Sequence, residues 1–247
     1  MDDEKEPPQD NPYIKLAKRG AETWNRWART IITNERVDAL NLSADKKRVI
    51  QSIPPFSNQQ LLLLAKELEI KDLESFSSEI NFSEQIINFS CSDFLFFAEV
   101  SFDNATFTRT TSFDGSTFTE NVTFKDSTFK EFTNFTNVTF IEQAYFKGTA
   151  FNGYACFEDT TFESAVFLGA TFIEDASFNN TTFNGHATFQ DTTFTKSAYF
   201  VNATVFQSSN FKGATFNEHA IFVHTIFTQN AIFENVTFTG RANFEGA

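Results

Sequence analysis

The fold is decided by a stretch at residues 107–129 that reads FTRTTSFDGSTFTENVTFKDSTF. Phenylalanine returns there at Phe107, Phe113, Phe118, Phe124 and Phe129, in steps that alternate between six and five residues. An alternation that continues in this way nearly to the end of the chain is typical of a repeat architecture. A small or β-branched residue precedes nearly every repeat phenylalanine by two places, and residues two apart share one side of an extended chain. Each unit therefore presents one large and one small side chain to the same side.

Two six-residue and two five-residue steps make 22 residues, so residues 22 apart are predicted to stack in four ladders. Ladder 1 contains Phe107, Phe129, Phe151, Phe172, Phe194, Phe216 and Phe238, and ladder 2 contains Phe113, Phe135, Phe157, Phe178, Phe200, Phe222 and Phe244. Ladder 3 contains Phe118, Phe140, Phe162, Phe183 and Phe227, and ladder 4 contains Phe124, Phe146, Phe167, Phe189, Phe211 and Phe233. An alternative coil with half as many residues in each turn satisfies the same alternation, but its two short sides leave little interior for so many rings.

Two irregularities interrupt the ladders. Val205 takes a phenylalanine position in ladder 3, and Phe206 beside it is either exposed or marks a slip of one residue. One residue is missing between Phe162 and Phe167, and every ladder steps by 21 there once before it resumes. We expect one corner of the coil to absorb this deletion.

The pattern resembles the pentapeptide-repeat family, in a phenylalanine-centred variant in which five-residue and six-residue units alternate. The segment LAKRGAETWNRW at residues 16–27 is similar to the helical leader that precedes such repeats in many bacterial proteins. The resemblance implies an all-β solenoid, a right-handed quadrilateral β-helix with about 22 residues per turn, behind a small α-helical N-terminal cap region. The chain departs from the family in using phenylalanine almost exclusively at the centre of each unit.

The composition changes along the chain and divides it into three parts. Residues 1–12 are predicted to form an acidic tail, residues 13–88 a helical N-terminal region that caps the coil, and residues 89–247 the solenoid. Within the helical region, apolar residues at helical spacing predict helices over about 12–33 and 57–68, and a short third segment over 71–76. Trp24 and Trp27 are interpreted as sealing this cap onto the first coil; the alternative is that they anchor a partner.

The net charge of −13 and the isoelectric point near 4.6 argue against direct nucleic-acid binding, which rests on lysine and arginine at phosphates. No apolar run is long enough to predict a membrane segment, and no signal-peptide pattern opens the chain. The two cysteines, Cys91 and Cys156, do not make a disulfide framework. These features favour a cytoplasmic protein of bacterial type. No capping sequence follows Phe244, so we expect either that the natural chain continues or that this end forms a homodimer.

Few residues are left for chemistry. His186, His219 and His224 are the only histidines and are expected at solvated outward positions. The chain contains no phosphate-binding loop, nucleophile elbow or CxxC pair. We therefore predict no catalytic residue, no metal and no cofactor, and expect that the protein is not an enzyme.

The outward positions carry a candidate partner surface. Six acidic residues follow ladders 2 and 3 on successive turns and are predicted to form one stripe: Asp114, Glu120, Glu142, Glu158, Asp159 and Glu163. The stripe is either a docking face for a protein partner or ordinary solubility charge. The favoured function is a non-catalytic binding or scaffold protein. The resemblance also implies an alternative, a mimic of DNA that binds a type II topoisomerase such as gyrase, although the basic column Lys125, Lys147 and Lys212 interrupts the negative surface.

Overall fold

The computed structural model describes residues 11–70 and 79–247. The described chain is a parallel β-solenoid of about seven turns with about 22 residues per turn, preceded by five short helices. This architecture confirms the predicted fold class. The predicted helical segment at 71–76 and most of the predicted acidic tail lie outside the described residues.

The helices are α1 (Pro12–Ala17), α2 (Ala21–Ile31), α3 (Asn34–Ala39), α4 (Ala44–Ser52) and α5 (Asn58–Glu67). The Asn11 side chain accepts hydrogen bonds from the first backbone N–H groups of α1, and Ser57 and Gln60 form a capping box at the start of α5. The sequence predicted one continuous helix over 12–33, and this is wrong. Gly20 lies between α1 and α2 with a φ of +87°, a conformation that cannot continue a right-handed helix.

The solenoid has four faces, numbered after the ladder that each contains. Face 1 comprises Ile86–Ile87, Thr106–Phe107, Thr128–Phe129, Ala150–Phe151, Thr171–Phe172, Thr193–Phe194, Thr215–Phe216 and Thr237–Phe238. Face 2 comprises Thr111–Ser112, Thr133–Asn134, Ala155–Cys156, Ala176–Ser177, Ala198–Tyr199, Ala220–Ile221 and Ala242–Asn243. Face 3 contains Leu95–Phe96, Thr117–Phe118, Thr182–Phe183, Thr204–Val205 and Ile226–Phe227. Face 4 contains Glu79–Asn81, Glu99–Ser101, Val122–Thr123, Ala187–Thr188, Ser209–Asn210 and Ala231–Ile232, while Thr139–Tyr145 and Thr161–Val166 run through both faces 3 and 4.

The register follows the predicted ladders. Phe129 pairs with Phe151, and Phe151 pairs with Phe172 across a turn that is one residue shorter. The rings of Phe129 and Phe151 stack with centroids 5.0 Å apart and planes within 4°. The deletion is absorbed at the corner between faces 3 and 4, where Glu163 alone spans the distance that two residues span one turn earlier. Val205 fills its ladder position and Phe206 is 49% exposed, so no slip occurs.

The corners explain why five-residue and six-residue steps alternate. Each five-residue step that follows ladder 2 or ladder 4 has a residue with positive φ two places after the phenylalanine, such as Gly115 (+70°) or Asp159 (+54°). Glycine, asparagine and aspartate enter this left-handed conformation at the lowest cost, which accounts for their recurrence there. A backbone hydrogen bond closes the corner, as between Ser116 N and Phe113 O at 3.0 Å.

Buried threonines join successive turns. The Oγ1 atom of Thr149 donates to the carbonyl oxygen of Phe124 at 2.7 Å, and that of Thr160 donates to Phe135 O at 2.6 Å. Both threonines are fully buried. Because the hydroxyls have backbone partners, the core accommodates these polar side chains without leaving them unsatisfied.

The solenoid begins earlier than the predicted boundary at residue 89. The strands Glu79–Asn81 and Ile86–Ile87 already pair with the next turn, and Phe82 stacks on Phe102 at 4.9 Å. The phenylalanine period does not reveal this first turn because Ile80 and Ile87 occupy interior positions in it, and Ile87 stands where later turns have phenylalanine.

The helices cover the first turn and part of face 3. Trp24 is fully buried, stacks on Phe94 at 5.2 Å, and donates its indole N–H to Leu95 O at 2.9 Å. Trp27 packs edge-on against Phe97 at 4.9 Å. Both tryptophans therefore seal the cap, as the sequence analysis interpreted them. None of the helices in the described residues is both long enough and apolar enough to cross a bilayer.

Candidate interaction surface

The ladder phenylalanines fill the interior of the coil. From Phe107 to Phe222 every member is at most 2% exposed, whereas Phe227, Phe233 and Phe238 are partly buried and Phe244 is 40% exposed. The opposite ladders 2 and 4 meet edge to face across the interior, as Phe135 does with Phe146 at 5.6 Å. Since rings occupy the interior, any function of the solenoid has to reside on its outward side chains.

The six acidic residues do not form one stripe. Asp114, Glu158 and Asp159 lie at the corner between faces 2 and 3, and Glu120, Glu142 and Glu163 lie at the corner between faces 3 and 4. Face 3 separates the two groups. The two groups lie beside adjoining ladders, with the width of face 3 between them.

One of these acidic residues, Glu120, contacts the protein's own helices. Arg36 of α3 forms an ion pair with Glu120, and Lys46 of α4 donates to Thr139 Oγ1 on face 3 at 2.6 Å. Burial lowers the pKa of Lys46, and the nearby charge of Asp93 opposes this shift. The turn that contains Glu120 therefore helps to hold the helical region against the solenoid.

The acidic residues beside face 2 also have roles within the chain. Asp114 accepts a hydrogen bond from Asn137 Nδ2 at 3.4 Å, and Glu158 accepts one from Ser177 Oγ at 2.6 Å. Asp159 occupies a left-handed corner position and is exposed. These contacts stabilise the surface of the solenoid and leave oxygen atoms available to solvent.

Glu142 and Glu163, like Asp159, have carboxylates without an ion pair in the described part of the chain. Glu142 is exposed and Glu163 half-buried. They lie at the corner that absorbs the deletion, on consecutive turns.

Face 2 carries an exposed aromatic pair that the sequence analysis missed. Phe132 and Tyr154 stack with centroids 5.6 Å apart and planes within 6°, and they are 37% and 36% exposed. Partial burial, followed by the nearby Cys156 and Glu158 side chains, raises the pKa of Tyr154 to about 12, and a hydrogen bond with Ser177 opposes this shift. Their separation by one full turn of the coil was a signal that could have revealed the pair, but neither residue lies at a ladder position.

The cysteines and histidines do not converge on a site. Cys156 lies on face 2 with its Sγ 3.3 Å from Thr136 Oγ1, and Cys91 is buried, which raises its pKa. The three histidines are exposed, and His224 is at a left-handed corner. Within residues 11–70 and 79–247, no group of three or more histidine, cysteine or acidic side chains is arranged to hold a metal ion.

Face 4 carries the basic column and a shallow groove. Lys212 forms an ion pair with Glu234 at 2.9 Å, and Lys125 lies 3.7 Å from Asp126. The groove has a volume of about 320 Å³, and Glu99, Asn121 and Tyr145 are among its lining residues. Lys125 and Lys212 are thus partly neutralised by carboxylates on the same surface.

Comparison with known proteins identifies the repeat. A family model described as pentapeptide repeats, with nine copies, matches residues 113–161, 157–204 and 200–247. No curated protein matches the chain, and no solved structure matches it.

Proposed function

Because the chain belongs to the pentapeptide-repeat family, we propose that it is a non-catalytic scaffold that binds another protein through the sides of its solenoid. The observation that carries this proposal is that stacked rings and small side chains fill the interior. Only the outward side chains of the four faces are therefore available to bind a partner. Repeat proteins commonly bind partners through such extended surfaces. The two cysteines are unpaired, which fits a reducing cytoplasm.

The binding surface in this proposal is the corner between faces 3 and 4, at Glu142 and Glu163. These carboxylates are not held by the helical region, unlike Glu120. The charge of −8 over residues 101–247 would attract a partner with a basic surface and raise its association rate.

A mimic of DNA is the second candidate, and the acidic rod is the observation that favours it. About seven turns at a strand spacing of about 4.8 Å give a length of about 34 Å. Duplex DNA of that length carries about 20 phosphate charges, far more than the net −8 of residues 101–247. A supercoiling assay with gyrase tests this candidate, and inhibition that depends on Glu142 and Glu163 would favour it over the scaffold.

The test of the scaffold proposal is cross-linking in the cell of origin followed by isolation of the tagged full chain. The informative variant combines Glu142→Lys with Glu163→Lys, and its matched control combines Glu234→Lys with Glu245→Lys. We expect one cross-linked protein with wild type and with the control, and its loss from the first variant. Equal recovery with both variants would reject this corner as the binding surface, and absence of any cross-linked protein would reject the scaffold proposal.

A further inference from the structure

The stacked pair Phe132 and Tyr154 is not explained by the ladders or by the corners. Both rings lie on the outer surface of face 2, and more than a third of each residue is exposed to solvent. The same column carries Thr110, Asp175, Ser197, His219 and Arg241 in the other turns, so the solenoid does not need a stacked pair there to fold. Exposed tyrosines are frequent anchors of protein interfaces because they offer a large rigid surface at a low entropic cost.

The two faces of the Tyr154 ring differ in their surroundings. Phe132 covers one face at 5.6 Å. The pairing of Ala155 with Ala176 places Asp175 on the next turn, beyond the opposite face. We call this second face the open face because, among the described residues, no other ring stacks on it and Tyr154 is 36% exposed.

Two carboxylates, those of Asp175 and Glu158, lie near Tyr154. Asp175 is oriented by a hydrogen bond from Ser197 N to its Oδ1 at 2.9 Å, and Glu158 is near enough to act on the pKa of Tyr154. On the turn after Asp175, Lys196 is already engaged by Glu218 at 2.8 Å. Asp175 and Glu158 therefore place negative charge near the ring, and Lys196 lies near enough to Asp175 to interact with it as well.

We propose that the open face of Tyr154, with Asp175 and Glu158 at its edges, binds the guanidinium group of an arginine carried by the protein partner. This inference rests on the proposed scaffold function and adds the chemistry that the partner presents. A guanidinium is planar and weakly hydrated, so it stacks on an aromatic ring while it donates to carboxylates in its own plane. An ammonium group lacks this planar shape, so lysine should bind less well.

The experiment uses the full chain with ring-labelled tyrosine and follows the signals of its four tyrosines by NMR. The probes are three acetylated, amidated tripeptides, Gly-X-Gly, in which X is arginine, lysine or the neutral isostere citrulline. At physiological salt we expect the arginine peptide to shift the Tyr154 signals, the lysine peptide to shift them less, and the citrulline peptide to leave them unchanged. Tyr145, on the opposite face 4, is the internal control.

Two variants separate binding from folding. Tyr154→Leu should weaken arginine-peptide binding by about two- to fivefold, the size of a cation–π contact at an exposed site. Asp175→Asn keeps the Oδ1 that accepts from Ser197 N, so it should fold normally and still bind less well. Equal shifts of Tyr145 and Tyr154, or equal binding of arginine and citrulline peptides, would overturn the proposal.

The outcome is distinguishable from that of the scaffold proposal. A cross-linked partner that is lost with Glu142→Lys and Glu163→Lys but retained in full by Tyr154→Leu would keep the scaffold function and reject the arginine site. Selective arginine binding at Tyr154 in a chain that cross-links to no protein would support the site and reject the scaffold.

Discussion

Replacement of Phe135 by alanine removes one ring from the middle of ladder 2. The side chain is fully buried and stacks on Phe113 at 4.9 Å and on Phe157 at 4.8 Å. It also meets Phe124 and Phe146 edge to face, each at 5.6 Å. The ladder on either side consists of rigidly stacked rings, so the surroundings have little freedom to close the cavity.

The expected cost follows from these contacts. Truncation of a buried phenylalanine to alanine typically lowers the free energy of unfolding by about 3–5 kcal/mol, and by more where the cavity cannot collapse. Aromatic pairs contribute about 0.5–1.5 kcal/mol each beyond the area they bury. Phe135 takes part in two stacked pairs, so we place Phe135→Ala at the upper end, about 5 kcal/mol.

The matched control is Phe132→Ala, three residues earlier on the same turn. Phe132 is 37% exposed, and its stacking partner is the equally exposed Tyr154, so its loss should cost about 1 kcal/mol or less. Urea unfolding followed by circular dichroism measures both variants, with the slope of the transition checked against wild type. Equal midpoints for Phe135→Ala and Phe132→Ala would refute the assignment of ladder 2 to the interior.

Three further outcomes are expected. Thr160→Val should lower the free energy of unfolding by about 1 kcal/mol because it removes the bond to Phe135 O, whereas Thr161→Val on the outside should have little effect in the same urea assay. Asp159→Gly should leave the free energy of unfolding unchanged or raise it, whereas Asp159→Val should lower it by about 1–2 kcal/mol, because φ is +54° at this position. A valine variant as stable as wild type would contradict the corner geometry. The pKa of Tyr154 is raised, so its contribution to stability is present below the usual tyrosine pKa of about 10 and is lost as the pH rises toward 12. Urea midpoints of wild type should therefore fall more steeply than those of Tyr154→Phe across that window, and parallel profiles would contradict the shift.

The solenoid was predictable because its core repeats one residue type at a fixed spacing. The same signal failed where another apolar residue replaced phenylalanine, as at Ile87, which hid the first turn. The helical region has no such repetition. The break at Gly20 depends on one backbone conformation that spacing alone does not reveal.

The candidate surface was predictable only in part. Register predicts which ladder each acidic residue follows, but the engagement of Glu120 by Arg36 depends on how α3 lies against face 3. That placement follows from the packing of Trp24 and Trp27 on the first turn, a tertiary contact without a sequence period. The pair Phe132 and Tyr154 lies outside the ladders, so a search for ladder residues passes over it.

The central claim is that residues 22 apart lie side by side, and disulfide formation tests it directly. Asn134 pairs with Cys156 on face 2, and adjacent strands at about 4.8 Å are within the range that a disulfide bridges. We predict that Asn134→Cys forms an intramolecular disulfide with Cys156 under mild oxidation, whereas Tyr145→Cys, midway between them in the sequence and on the opposite face, stays reduced. A disulfide in Tyr145→Cys and none in Asn134→Cys would indicate a coil with half as many residues in each turn and contradict the account.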